Sequence, residues 1–273
     1  MPIHDDLGIR MKTYYEQIPK TRLMRRCPVV IRIDGKAFHT FTRGFNKPFD
    51  DVLIKTMQDT TKYLCENIQG CIFGYTQSDE ISLVLVDYQN LNTAAWFDYE
   101  VQKMCSISAS MATMAFNQFF AQNVDNEIIE YKGSYVPQSM EIIQRISAYH
   151  KVLKQAVNKG AMFDARVFNV PKEEVTNYIY WRQLDASRNS IQMVGQANFS
   201  HKELQGKSCN NIQDMLVTEK NINWNDFPTY LKRGTCVVKR RGCESERGYW
   251  YIDKDIPIFK GEDRDYIDKL VFV

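Results

Sequence analysis

Two short stretches carry residue types able to do chemistry together. In "GYTQSDEIS", Gly74 to Ser82, the adjacent carboxylates Asp79 and Glu80 sit between runs that read as buried strands. In "CPVVIRIDG", Cys27 to Gly35, a run rich in β-branched residues ends on Asp34 and a glycine. Tight hairpins usually turn on Asn-Gly or Asp-Gly because glycine accepts positive φ. Here the turn is Gln77-Ser78-Asp79-Glu80, with no glycine at its centre. Two readings stand: Asp79 satisfies a turn backbone while Glu80 faces water, or the acids are metal ligands. Two carboxylates held together repel unless cations bridge them, and oxygen-only ligands suit Mg²⁺, which takes water and substrate phosphate in its remaining positions. Two such ions, about 3.5–4 Å apart, stabilise the attacking and leaving oxygens of an in-line phosphoryl displacement. Gly35 would let a phosphate or metal approach its backbone. The amides from Lys36 to His39 would donate to a triphosphate wrapped around the metals.

The elements around these stretches decide whether the acids meet. Val52, Leu53, Met57, Tyr63 and Leu64 recur at helical spacing from Asp50 to Ile68, with Asp50 or Asp51 as N-cap and Gly70 as the stop. Strands over 71–76 and 80–86 follow, then a long Ala- and Met-rich helix from Ala94 to Gln122 and a strand from Phe163 to Val170. This β-α-β-β-α-β order is that of the ferredoxin-like split βαβ unit, an α+β fold. In it the first and third strands are antiparallel neighbours, which puts Asp34 and Asp79 at one end of the sheet. Residues 125–160 intrude before the last strand, with a helix of their own around 140–156. After Pro171, at a favoured helix start, helical segments run to about Leu216. "GTCVVKRR" and "GYWYID" read as a closing strand pair. The expected organisation is a catalytic region over 1–170 and a helical and strand-pair region over 171–273, packed as one body.

With 273 residues the chain can bury one large core or two small ones. Its net charge of +2 says little, but Lys20, Arg22, Arg25 and Arg26 form one basic group and Lys232, Arg233, Lys239, Arg240 and Arg241 another. Each is compatible with a solvated face, and together they suit phosphate contacts along a nucleic acid. The seven cysteines show no zinc spacing and read as reduced core residues. The polar N-terminus lacks a signal-peptide core and no apolar run spans a membrane, so a cytoplasmic protein without a membrane partner is expected. "GKS", Gly206 to Ser208, is not a phosphate-binding loop, because that motif needs glycine where His201 stands. The histidines form no ligand spacing, and Trp181 and Arg182 read as bracing their helix.

"VIRIDGKAFHTFTRGFNKPFD", "GYTQSDEISLVL", "FDARVFNVP" and "YWRQLDASRNS" together resemble the tRNA-His guanylyltransferase family and its guanylyltransferase-like branch of 3′-to-5′ RNA polymerases. The resemblance spans roughly Val29 to Lys239. It implies a polymerase-type palm, a homotetramer, two Mg²⁺ ions, GTP or another nucleoside triphosphate and ATP as substrates, and tRNA as partner. It matches Asp34 and Asp79 to the metal-binding aspartates, with the Gly35 carbonyl completing a metal site, and Glu80 to a further acid needed for full activity. Gly35, Lys36, Ala37, Phe38 and His39 match the triphosphate loop, and Lys47 and Ser78 match further phosphate contacts. Lys103 and Arg166 match basic positions for the tRNA 5′ end or a second nucleotide, a role extended to Arg188 and Asn189. Arg166 would equally pair with Asp164.

Members that add guanosine to tRNA-His carry a His-Ile-Asn-Asn-Leu-Tyr-like motif where this chain has "SRNSIQ", Ser187 to Gln192. That departure resembles the branch that restores missing 5′ nucleotides of truncated tRNA against a template. Phe49 is a second departure, since many members have Asn after the Lys-Pro pair. The expected activity is therefore metal-dependent 3′-to-5′ addition to tRNA, with guanosine addition to tRNA-His as the alternative. A nucleotide cyclase and a non-catalytic RNA-binding palm are the competing readings; clustered acids that repel phosphate argue against the last.

Overall fold

The computed structural model describes residues 5–133, 139–242 and 245–272. In chain order the elements are α1 (Asp6–Met11), β1 (Val29–Gly35), α2 (Phe38–Phe41), α3 (Asp51–Asn67), β2 (Cys71–Gln77), β3 (Glu80–Leu85), α4 (Val101–Gly133), α5 (Met140–Lys159) and β4 (Phe163–Asn169). There follow α6 (Lys172–Asn198), α7 (His201–Leu204), α8 (Cys209–Lys220), α9 (Thr229–Arg233), β5 (Thr235–Gly242), β6 (Ser245–Asp253) and α10 (Asp265–Val271). The strands form one sheet in the order β4-β1-β3-β2-β5-β6. Its first four strands have the order of the ferredoxin-like unit expected from the sequence, and every neighbouring pair is antiparallel. The "GTCVVKRR" and "GYWYID" runs extend that sheet beyond β2.

The sheet is covered on both faces, which is why β1 reads as a nearly unbroken apolar run. Val29, Ile31 and Ile33 join Ile81, Leu83 and Leu85 in the core under α3 and α4. Val30 and Val84 point the other way, into a second core shared with Val175 and Ile179 of α6 and Ile267 of α10. A third cluster packs α6 against α8 through Val194, Ile212 and Leu216. Asp50 caps α3, its carboxylate accepting from the Leu53 amide at 3.0 Å. Gly70 then takes φ +80°, and a Cβ there would meet the Val86 carbonyl oxygen at 2.9 Å. Among the described residues no helix is long and apolar enough to cross a membrane. Cys65 and Cys236 are buried free thiols, Cys27, Cys71, Cys105 and Cys209 are partly buried ones, and Cys243 lies outside the described residues.

Two boundaries differ from expectation. The long helix begins at Val101 rather than Ala94, because Phe97, Asp98 and Tyr99 all take positive φ and no helix can pass through them. It also runs on to Gly133 instead of ending at Gln122, so the start of the 125–160 segment is a continuation of α4. The rest of the described segment is α5, which is amphipathic and returns onto the core: Leu153 is fully buried in the main cluster, which also holds Phe116 and Phe120. Tyr149 of α5 donates its hydroxyl to Asp50 at 2.8 Å, and Val152 packs 3.2 Å from where a Cβ on Gly44 would stand. The helix thus braces the loop between β1 and α3. Leu153→Ala is expected to lower stability by about 2–5 kcal/mol, seen as an earlier urea midpoint with an unchanged slope.

Candidate active site

Asp34 closes β1 and Asp79 sits in the turn between β2 and β3, as the sheet order requires. The ladder pairs Asp34 with Glu80, and the Gly35 amide donates to the Asp79 carbonyl at 3.1 Å. The turn itself is two residues, Ser78 and Asp79, and Ser78 adopts φ 51°, the conformation usually reserved for glycine. The Ser78 hydroxyl donates to the Asp79 carboxylate at 3.1 Å. Burial, with the nearby charges of Asp34 and Glu80 adding to it, raises the Asp79 pKa above its ordinary value, while hydrogen bonds from its own amide and from Ser78 offset part of the rise. Both aspartates open onto a cleft of about 550 Å³ that is also lined by Gly35, Ala37, Phe38, His39, Lys47 and Ser78, with Met193 and Gln196 of α6 as one wall.

The loop after β1 is held from below. Phe38, Phe41 and Phe45 are buried in an aromatic cluster with Phe116, Phe120 and Phe163, at ring separations of 5.2 to 5.9 Å. This adds a second reason for glycine at position 35. A Cβ there would fall 2.2 Å from the Phe38 ring, so Gly35 makes room for the anchor. The expected donors also narrow. The Lys36 amide is spent on the Met162 carbonyl at 2.8 Å, leaving Lys36 only its exposed side chain. Among the described residues, the amides of Ala37, Phe38 and His39 have no protein acceptor, and they open the first turn of α2. Asp50 fixes the far end of the loop, accepting from the Asn46 amide at 3.1 Å as well as from Leu53 and Tyr149.

Glu80 is placed differently from the two aspartates. Its side chain is 5% exposed, lies outside the cleft lining, and is gripped by two guanidinium groups. Arg182 of α6 donates through Nε to Oε1 at 2.6 Å and through Nη2 to Oε2 at 2.7 Å. Arg32 adds a third bond to Oε2 at 2.7 Å. Neither arginine stood among the candidate residues. The signal for Arg32 was a lone charge inside the apolar run "VVIRI", two residues before Asp34 and so on the same sheet face. Arg182 was read as bracing its own helix; it does so through Asp185 at 2.9 Å and also ties the helix to the hairpin. Trp181 is 53% exposed and meets the Tyr178 ring of its own helix at 6.0 Å, with the Arg182 guanidinium carbon 4.5 Å from its ring centre.

The remaining candidates are scattered. Lys103 lies in the first turn of α4, next to Phe97 and at the end of the sheet where Val29 pairs with Leu85. The cleft end of α4 comes at Thr113, which accepts from the Phe163 amide at 3.2 Å; ten residues of helix separate the two by roughly 15 Å. Lys103 is therefore not part of this cleft. Arg166 is exposed on the edge strand β4, 3.9 Å from Asp164. Arg188 is exposed on α6 and paired with Asp185. Asn189 reaches Asp185 at 3.4 Å and lines a second, mainly apolar pocket behind the hairpin turn, where Phe49 packs on Phe227.

The donor set at Asp34 and Asp79 is all oxygen, and among the described residues no group of three or more His, Cys, Asp or Glu side chains is arranged to hold a metal ion. A divalent cation fits here only with backbone, water or phosphate oxygens completing its shell, which is the habit of Mg²⁺. An antiparallel palm-like sheet with two carboxylates at one end of neighbouring strands, opening on a cleft, is the arrangement expected of a nucleotidyltransferase. Residues 9–171 match the family model described as tRNAHis guanylyltransferase. The tRNA(His) guanylyltransferase of Saccharomyces cerevisiae is 25% identical over 232 residues, 80% of this chain and 85% of that protein. A probable tRNA(His) guanylyltransferase of Drosophila melanogaster is 26% identical over 78% of this chain and 67% of its own length. Among solved structures, a bacterial tRNA(His) guanylyltransferase-like protein in complex with ATP superposes with a TM-score of 0.79 at 41% identity, covering 97% of this chain and 98% of its own. One in complex with GTP gives 0.75 at 38% identity, covering 98% and 100%. The chain belongs to the tRNAHis guanylyltransferase family.

Replacing Asp79 by Asn removes a charge that burial and Asp34 both oppose. The metal-free Asp79→Asn protein is expected to melt above the parent at neutral pH, and the difference to shrink as acid protonates the parent's Asp79. Gly35→Ala is expected to melt lower than the parent, because Phe38 must leave its seat.

Proposed function

We propose that this protein adds nucleotides in the 3′-to-5′ direction to the 5′ end of tRNA, and that its main task is template-directed repair of 5′-truncated tRNA. The observation that carries the catalytic part is that Asp34 and Asp79 line one cleft beside the unspent amides of Ala37 to His39. Asp34, Asp79 and the Gly35 carbonyl would hold two Mg²⁺ ions. When bound, the metal supplies positive charge that lowers the pKa of an attacking hydroxyl and offsets charge on leaving pyrophosphate. The chain's own residues do the rest. The three amides and the Lys47 ammonium bind a triphosphate, and the aromatic anchor under the loop keeps them aimed with little reorganisation. A 5′-monophosphate is first adenylylated with ATP, whereas a 5′-triphosphate needs no activation.

Support for the repair reading comes from α6. Ser187 stands where guanosine-adding members carry histidine, and its hydroxyl donates to the Gln183 carbonyl at 3.1 Å, so it offers no substitute for an imidazole. Guanosine addition to tRNA-His is the second reading, favoured by the names of the relatives from yeast and fly. A cytoplasmic homotetramer completes the proposal.

The test is nucleotide addition to 5′-labelled tRNA-His and to a tRNA lacking its first nucleotide, with Mg²⁺, ATP and each nucleoside triphosphate. Template-matched filling of the truncated tRNA is expected; untemplated guanosine on tRNA-His alone would select the second reading. Asp34→Ala and Asp79→Ala proteins that kept parental addition would sink both. Lys47→Ala is expected to raise KM for the triphosphate by about tenfold, the equivalent of roughly 1.4 kcal/mol.

A further inference from the structure

We propose that Arg182 is a positioning residue for the reaction, holding Asp79 in register with Asp34 through its grip on Glu80. The inference rests on the reading of Asp34 and Asp79 as the reacting pair and concerns what keeps them in place.

Asp79 lies in a two-residue turn whose first residue takes a positive φ without being glycine. Its neighbour across the sheet end is another carboxylate, and the two repel. The cheapest relief is for the turn to swing Asp79 outward. One residue on, Glu80 opposes that motion. Its backbone forms the rung opposite Asp34, and its carbonyl accepts from the Thr76 hydroxyl at 2.9 Å. Its carboxylate accepts the fork of Arg182 on both oxygens and Arg32 on one. A bidentate pair fixes direction as well as distance, which a single lysine ammonium does not.

The surroundings sharpen the grip. The Arg182 and Glu80 side chains are each 5% exposed. Trp181 covers the guanidinium on one side, and Asp185 takes a further bond from Nη2 at 2.9 Å. Two rungs further along, the Tyr178 and Ser82 hydroxyls hydrogen-bond at 3.0 Å, a second polar tie between α6 and β3. The same helix lends Met193 and Gln196 to the cleft wall. Arg182 therefore sets the wall and the metal-facing turn relative to each other. A buried ion pair is a poor device for stability, since apolar replacement of both partners is often neutral or favourable. Positional control is what it adds here.

Three variants separate positioning from support. Arg182→Lys keeps the charge and loses the fork; Glu80→Gln keeps the shape and loses the charge; the double Glu80→Met, Arg182→Met variant replaces the pair by apolar side chains. Mn²⁺ binding followed by electron paramagnetic resonance, without RNA, is read beside steady-state kinetics and melting temperature. Arg182→Lys and Glu80→Gln are expected to weaken Mn²⁺ binding and lower kcat by about 10- to 100-fold, the range seen when groups behind metal ligands are removed. Triphosphate KM should stay within about twofold, because the loop amides and Lys47 are untouched. The double variant is expected to melt near the parent and still bind Mn²⁺ weakly. A folded double variant with parental kcat and Mn²⁺ affinity would overturn the proposal, as would failure of all three to fold, which would make the pair a stability element. Parental addition by Asp79→Ala would instead remove the functional reading itself, so the two failures are distinguishable.

Discussion

Asp34 and Glu80 face each other across the β1–β3 ladder, and Asp79 stands one residue outside that rung. The sheet thereby holds two carboxylates together, and burial, with the Asp34 charge adding to it, raises the pKa of Asp79. Backbone hydrogen bonds along β1 and β3 make this possible, and the charged positions fix the register: with apolar cores on both faces, a one-residue slip of β1 would turn Arg32 from the α6 face, where it meets Glu80, into the apolar core under α3 and α4. The carboxylate pair is as fixed as the ladder beneath it.

Each neighbouring part of the molecule answers a need that this pair creates. A ligand bearing phosphate must be held beside it, and the loop after β1 presents three unspent amides while three phenylalanines pin it to α4. That pinning explains Gly35, whose missing Cβ is the space the Phe38 ring occupies. The loop's other end is tied by Asp50, which is reached in turn by Tyr149 of α5. A segment that looks in the sequence like an intrusion is thus part of the support for the site.

The far side of the sheet contributes through α6. This helix of 27 residues buries Val175 and Ile179 against the sheet, ties Glu80 through Arg182, and ends beside the cleft. Residues that follow β4 in the chain therefore belong to the same mechanical unit as the strands. The strand pair β5–β6 adds to this by lengthening the sheet along β2.

Much was legible because it depends on short-range pattern. The β-branched run before Asp34, the acidic turn without glycine and the Asp50 cap determined the strands, the ferredoxin-like order and the meeting of Asp34 with Asp79. Periodicity could not report the positive φ angles at 97–99 that delay α4, since an apolar stretch looks the same on either side of such a break. Nor could it say which groups near a motif are already engaged: the Lys36 amide with Met162, Ser78 with Asp79, and both oxygens of Glu80 with arginines 48 and 102 residues away. Lys103 likewise resembled a site residue and folded to the opposite end of the sheet. By itself the sequence determined which side chains could do the chemistry and which strands carry them. Only the tertiary structure decided which of them are free to act, because hydrogen-bond partners are chosen by distance in space, and a guanidinium from α6 reaches Glu80 only after the helix has packed on the sheet.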